Sequence, residues 1–445
     1  MAAEIPFTAV MLASLLGAIL GWFTGLVPGL HSNNVASAVG SRPGLILAIA
    51  AAGSGGPEAA GWELVASAAV VACAVAHTVS NIVPSIFFAV PEGGTALSVL
   101  PGHRMVKAGM GNEALRVSVI SSLAALVIAV ALVVPIHAIM GPPVGLVHAL
   151  RDWIGPALLT VSFLMVLREA GKPAQKDRPS GIRAGLAATA MLLTSGALGH
   201  VVLFSDGMVA PIFIGLFGVP TVLLAIVDHV TLDSGEERPS NETMGHLPWS
   251  PILKGTLAGS VVGWFPGVSS AQATILVATG GTEGEDGDLE GARRFIAGVS
   301  AVNTTNVVFN IVALATLLRV RSGAASAISS LMAWSEPPWG PTAAPSSDVA
   351  FLLMAAMVGG LVAAPLTLST GRWLQRALPY ISNRWTLGAL ILVLVGATVL
   401  AGGPEAGLVL LVSSALGLIP PILGLMRVHL MGVVTLPLAL GLVLG

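Results

Sequence analysis

Two short clusters hold the residue types best suited to gripping a small polar ligand. The first reads Gly25-Leu26-Val27-Pro28-Gly29-Leu30-His31-Ser32-Asn33-Asn34, the second Gly263-Trp264-Phe265-Pro266-Gly267-Val268-Ser269-Ser270-Ala271-Gln272. Both run Gly-x-x-Pro-Gly, then an apolar residue, then a polar cluster. A second echo follows in each half, His77-Thr78-Val79-Ser80-Asn81 and Asn303-Thr304-Thr305-Asn306. A Pro-Gly break at membrane depth persists only where it is buried in protein or lines a watery cavity. There the exposed helix ends offer N–H groups to an anion or carbonyls to a cation. His31, Ser32, Asn33, Asn34, Ser269, Ser270 and Gln272 supply hydrogen bonds without fixed charge, beside the breaks Pro28-Gly29 and Pro266-Gly267. Thr78, Asn81, Asn303, Thr304 and Asn306 complete the pocket from the neighbouring segments. We expect Asn33, Asn34, Ser269 and Ser270 to touch the ligand, with Asn81, Asn303 and Asn306 in support. A single Pro-Gly kink has an adequate packing explanation, since Ser, Thr and Asn also join membrane helices. The pairing of the motifs favours a binding site.

These clusters are carried by a chain whose solvent is lipid. Of 445 residues, 55% are hydrophobic and 9% charged, against about 25% charged in soluble domains, and the mean hydropathy is +0.89. Apolar runs long enough to approach a bilayer span lie near 6–30, 62–90, 113–141, 153–168, 183–203 and 209–228, and again near 251–280, 292–318, 348–370, 385–401, 404–425 and 428–445. The expected fold is therefore an all-α polytopic membrane protein. It has about 10–12 membrane segments in two internal repeats with broken or re-entrant helices. The first repeat covers 1–229, a polar linker 230–249, and the second repeat 250–445. Inverted repeats are preferred to parallel ones, although the segment count accommodates both. The basic loop from Arg168 to Arg183, with Lys172, Lys176 and Arg178, is placed in the cytoplasm. The N-terminal run lacks a basic leader and is read as the first membrane segment.

Several functions are excluded by the same residues. Lys+Arg 20 against Asp+Glu 22 leaves a net charge of -2, and aromatics are 5%, which is no surface for nucleic acid. Cys73 is the single cysteine, so there is no disulfide framework or thiolate metal site. No Gly-x-Ser-x-Gly elbow, phosphate-binding Gly-Lys-Ser/Thr loop or His-Glu-x-x-His occurs, so no catalytic residues are assigned and an enzyme is not expected. The acidic run Glu283, Glu285, Asp286, Asp288, Glu290 lacks the alternate-oxygen pattern of a calcium loop and is read as solvated. Asp206, Asp228, Glu92, Glu336 and Glu405 fall at segment ends and are read likewise. His31 and His77 titrate in the physiological range and are candidates to carry a coupled proton, with neutral packing the preferred reading. No resident cofactor or metal is expected. Na+ or H+ would enter only as a coupling ion.

The run Asn81-Ile82-Val83-Pro84-Ser85-Ile86-Phe87, then Pro91-Glu92-Gly93-Gly94-Thr95-Ala96, Leu100-Pro101-Gly102-His103-Arg104-Met105-Val106-Lys107-Ala108-Gly109 and Glu113-Ala114-Leu115 resembles the large permease subunit of the tripartite tricarboxylate transporters. The stretch from Gly291 to Asn310 is similar to that family's Asn-rich helix. The ending Ile419-Pro420-Pro421 through Arg427-Val428-His429-Leu430-Met431-Gly432 resembles a divergent, archaeal-type branch. The resemblance implies a multi-pass permease of the cell membrane, moving a small organic anion such as a di- or tricarboxylate by ion-coupled alternating access. It also implies a small membrane subunit and an extracytoplasmic solute-binding protein as partners. His31-Ser32-Asn33-Asn34 and Asn303-Thr304-Thr305-Asn306 depart from the family's usual residues, which puts substrate and partners in question. Pro266-Gly267-Val268-Ser269-Ser270 is also similar to a motif of bacterial undecaprenyl-phosphate translocases. That gives an alternative, a polyprenyl-phosphate flippase with Arg42, Arg293 or Arg294 near the phosphate.

Overall fold

The computed structural model describes residues 7–27, 61–88, 93–171, 179–203, 205, 208–227, 246–265, 270, 273–274, 289–342, 344–381 and 384–444. Among them the chain is helical throughout, without strands. In chain order the helices are α1 (Phe7–Leu26), α2 (Trp62–Ser80), α3 (Ile82–Phe87), α4 (Val99–Lys107), α5 (Gly111–Met140), α6 (Leu146–Ala170), α7 (Ile182–Val202), α8 (Val209–Phe213), α9 (Val219–Val227), α10 (Trp249–Val262), α11 (Leu289–Leu317), α12 (Gly323–Met332), α13 (Ser347–Ile381), α14 (Arg384–Leu423) and α15 (Gly432–Leu444). A π-helical segment, Ile214–Gly218, joins α8 to α9, and 3₁₀ turns Gly93–Ser98 and Arg427–Met431 precede α4 and α15. Eight of the described helices are long and apolar enough to cross a membrane. Large apolar side chains point outward along them, for example Leu12, Leu16 and Phe23 on α1, Phe163 and Leu167 on α6, and Leu408 and Leu411 on α14. In water such a surface would aggregate, whereas in lipid it is the solvated one.

The expected segments correspond closely to these helices. The runs read at 385–401 and 404–425 become the two arms of α14, broken at Gly403, whose φ of 72° is one that only glycine adopts without strain. The segment read at 153–168 is longer, Leu146–Ala170, because Arg151 and Asp152 lie on its exposed side and do not stop it. The short pieces 93–107 and 323–332 were not expected, the first because His103, Arg104 and Lys107 break its apolar run.

Two helices lie inside all the others. The most apolar window of α2–α3 is buried along its entire length and that of α11 over 89%. Each carries a partner helix seated on it by glycines. On α1, Gly17, Gly21 and Gly25 face Ala69, Cys73 and Ser80, and a Cβ on any of them would overlap α2. On α10, Gly255, Gly259 and Gly263 face Gly298, Val302 and Phe309 of α11, with a Cβ on Gly259 falling 2.7 Å from the Val302 carbonyl oxygen. Lipid offers no hydrophobic drive between helices, so close backbone approach at small residues is what binds each pair. The two pairs share one register, since Ala69, Cys73 and Ser80 stand at the same spacing as Gly298, Val302 and Phe309.

Across the interior, Ser118 and Ser300 hydroxyls share a 2.7 Å hydrogen bond between α5 and α11. Arg293 Nε is 3.1 Å from Glu113 Oε1 at the starts of the same helices, and Glu290 lies 3.4 Å from the same guanidinium. Gln375 of α13 accepts from Asn112 N at 2.7 Å and donates to Gly109 O at 3.3 Å, which pins the turn between α4 and α5.

Candidate functional site

The polar residues of α2 and α11 meet at the centre of the bundle. Asn303 Nδ2 donates to Asn81 Oδ1 at 3.3 Å, and Thr78 Oγ1 donates to Thr304 Oγ1 at 3.4 Å. Asn81 sits at the junction where α2 ends and α3 begins, and Pro84 follows within α3, so the chain there is an interrupted helix. All four residues are buried, as are Thr305, Asn306 and Asn310 on the next turns of α11. The Thr305 hydroxyl and Asn306 Oδ1 are buried with no hydrogen-bond partner among the described residues. A buried polar atom left unpaired costs about 1–3 kcal/mol; Thr305 packs against Gly259 of α10.

Of the residues expected at the site, Thr78 and Asn81 thus meet Thr304 and Asn303, and Asn306 is buried further along α11. Ser270 is buried and its carbonyl accepts from Thr274 Oγ1 at 2.8 Å. Pro28, Gly29, His31, Ser32, Asn33, Asn34, Pro266, Gly267, Ser269 and Gln272 lie outside the described residues. The chain entering the second break is nonetheless held firmly. Arg321 donates from Nη1 to Gly263 O at 2.6 Å and from Nη2 to Val262 O at 3.4 Å. It thereby satisfies the open carbonyl end of α10 with a cation, the sign favoured by the helix dipole. His77 makes a 3.1 Å contact from Nδ1 to Thr24 Oγ1, which is the packing role expected of it.

A second buried polar group was not foreseen. Glu169 at the end of α6 and His429 in the 3₁₀ turn are each 1% exposed, with Nε2 and Oε2 3.2 Å apart. Met426 N also donates to Glu169 Oε2, at 3.3 Å. Arg427, equally enclosed, donates to Thr221 Oγ1 and Phe217 O beside the π-helical segment. His103 of α4 completes the group, with both ring nitrogens buried and unpartnered among the described residues. In the sequence Glu169 follows Arg168 and reads as part of a basic loop, while Arg427 and His429 read as a segment boundary. Only the Arg-x-His pair directly before an apolar run hinted at charge inside the protein.

Burial, with Lys107 and Arg427 nearby, pushes His103 down from 6.5 to about 4. The unfolded chain therefore takes up this proton first, and stability falls as pH drops from 6.5 towards 4. At about 1.4 kcal/mol per pH unit the loss is up to about 3 kcal/mol. His103→Leu should flatten this acid limb of a pH series of unfolding measurements, and an unchanged limb would show that His103 is solvated.

An all-helical multi-pass membrane protein with an interrupted inner helix and an uncharged polar cluster between its innermost helices has the build of a membrane transporter. A family model, that of the tripartite tricarboxylate transporter TctA family, matches residues 11–432. The chain belongs to that family and is a transporter of the membrane. It is also 24% identical over 331 residues, 73% of each chain, to an uncharacterised protein of Methanocaldococcus jannaschii, in keeping with a divergent branch. No solved structure matches it.

Proposed function

We propose that the protein moves a small organic anion, a di- or tricarboxylate, by alternating access coupled to a Na+ or H+ gradient. It would work with a small membrane subunit and an extracytoplasmic solute-binding protein, as tripartite transporters do in general. The observation that carries this reading is the meeting of Thr78 and Asn81 with Thr304 and Asn303 between the two most enclosed helices. Their amides and hydroxyls donate to a carboxylate without fixing it by charge, and a ligand that must be released on the far side is better held that way. The repeated glycine register of α1 on α2 and α10 on α11 supports an internal duplication. The flippase alternative needs a basic residue free to meet a phosphate. Arg293 is already opposed by Glu113 and Glu290, Arg294 is exposed at the start of α11, and Arg42 lies outside the described residues, so the carboxylate reading is preferred on the two that are described.

The test is thermal unfolding of the purified protein in detergent with citrate, succinate or a short polyprenyl phosphate, each with and without sodium. A ligand at a hundredfold excess over its Kd raises stability by about 2.7 kcal/mol. Stabilisation by a carboxylate is the expected result. Stabilisation by the polyprenyl phosphate alone would overturn it.

A further inference from the structure

The Glu169 group lies apart from the Asn/Thr site and has no part in holding a carboxylate there. Ionisable side chains enclosed within a membrane protein are costly and are kept mainly where charge moves, in proton relays above all. Here two groups able to exchange protons, a carboxyl and an imidazole, are in direct contact at 3.2 Å and each is 1% exposed. His429 Nδ1 is buried and unpartnered among the described residues, so the imidazole has one nitrogen on Glu169 and one open to receive a proton. A proton taken up there adds one positive charge to the group.

Among the described residues, the surroundings leave these as the groups that can change. Arg427 is a fixed cation held by Thr221 and the Phe217 carbonyl. From α4 come His103 and Lys107. Helix α7 contributes Ser195, whose hydroxyl donates to His429 O at 3.2 Å, while its Arg183 and His200 are exposed. Glu405 and Arg384 of α14, and Arg168, Arg151 and Asp152 of α6, point away or lie at exposed positions, and α8, α9 and α15 carry no charged residue.

The group is also connected to the central site. Ser85 of α3 donates to Asn81 O at 3.3 Å, and its hydroxyl is 2.6 Å from Thr95 Oγ1 in the 3₁₀ turn before α4. Between about two and three turns of helix separate Thr95 from His103, whose ring feels Arg427. The segment 93–107 therefore touches α3 beside Asn81 at one end and carries His103 within the electrostatic reach of Arg427 at the other. Its position would respond to a charge appearing beside Arg427.

We propose that Glu169 and His429 form a proton-binding site, separate from the substrate site, through which transport is coupled to protonation. The coupling part rests on the carboxylate-transport reading, while the titration of the site does not. The proton is received at His429 Nδ1 or shared with Glu169 Oε2, and it leaves to water when the bundle opens.

Two measurements test this and separate it from the transport reading. The first is an infrared pH titration of the ligand-free protein between about pH 5 and about pH 8, the range over which an imidazole changes charge. A carboxyl or imidazole signal that titrates in the wild type and vanishes in Glu169→Gln and His429→Gln is expected. A titration unchanged in both variants would overturn the site. The second uses proteoliposomes. Exchange of labelled citrate without a gradient should survive in both variants, while accumulation driven by an imposed pH gradient should fall at least tenfold. Full gradient-driven accumulation by Glu169→Gln would overturn the coupling role, as would equal loss of exchange and accumulation in Glu169→Asp, which keeps the titrating group. Absence of exchange in the wild type would instead count against the carboxylate reading, and the infrared titration would still decide the site.

Discussion

Replacing Asn303 by leucine is expected to weaken citrate binding to the purified protein by at least about tenfold, equivalent to about 1.4 kcal/mol. Asn303 Nδ2 is the donor to Asn81 Oδ1, so the substitution removes one side of a buried pair and leaves the other amide without it. Stability should fall as well, by about 1–3 kcal/mol. Loss of binding and loss of stability would then be confounded, and the double variant Asn81→Leu/Asn303→Leu resolves them. When both partners become apolar and similar in size, little polar surface is stranded and stability should largely return. Binding should not return, because the donors that meet the carboxylate are gone. Calorimetric titration of the single and double variants, beside their unfolding temperatures, gives both quantities. Citrate binding restored with stability in the double variant would reduce the Asn81–Asn303 pair to helix glue, the role such residues play in many membrane bundles.

That alternative shows how far the sequence carries the site. Residues facing one another across α2 and α11 were recognisable by type, because amides and hydroxyls in an apolar run are rare enough to notice. Their alignment is set by packing. The sequence matches Asn81 with Asn306 as the ends of two similar motifs, whereas the glycine packing matches Ser80 with Phe309, and so Asn81 with Asn310, as equivalent positions of the two helix pairs. The two alignments differ by one helical turn. A shift of that size returns a residue to nearly the same face, so residue pattern alone scarcely separates them. Backbone packing does, since Gly25 and Gly263 can each approach only one place on the partner helix.

Most helices were legible because membrane spans are governed by length and apolarity, both of which are written locally. Exceptions fall where a neighbour supplies what the local run lacks. The stretch 93–107 is polar enough to read as a loop, yet Met105 and Val106 are buried against Ile86 and Phe87, and Gly102 lets the turn lie against Ile86. The pairing of Glu169 with His429 joins residues 260 positions apart. Glu169 follows Arg168 and His429 lies two residues after Arg427, positions that read as segment ends, and only tertiary packing encloses the pair.

The largest loss of folded protein is expected from the smallest side chain, at Gly21 and Gly259. In Gly21→Ala the new methyl would overlap the Cys73 carbonyl, and in Gly259→Ala it would fall 2.7 Å from the Val302 carbonyl and 3.1 Å from Thr305 Cβ. A backbone oxygen cannot rotate away as a side chain can, so α1 must lift from α2, or α10 from α11, along the whole seam. Overpacking of this kind costs about 1–3 kcal/mol in soluble cores. In lipid the separated faces regain nothing from water, so the van der Waals attraction between the two helices is forfeited without compensation. Gly396→Ala is the control, because nothing lies within 4 Å of a Cβ there. In that position alanine should be neutral or stabilising by up to about 1 kcal/mol through helix propensity. The yield of monodisperse protein and its unfolding temperature should therefore fall for Gly21→Ala and Gly259→Ala and hold for Gly396→Ala. Comparable losses at the first two would match the shared register of the two helix pairs. Normal stability in Gly21→Ala would mean that α1 is not pressed against α2 in the membrane, and the enclosure of Thr78 and Asn81 would fail with it.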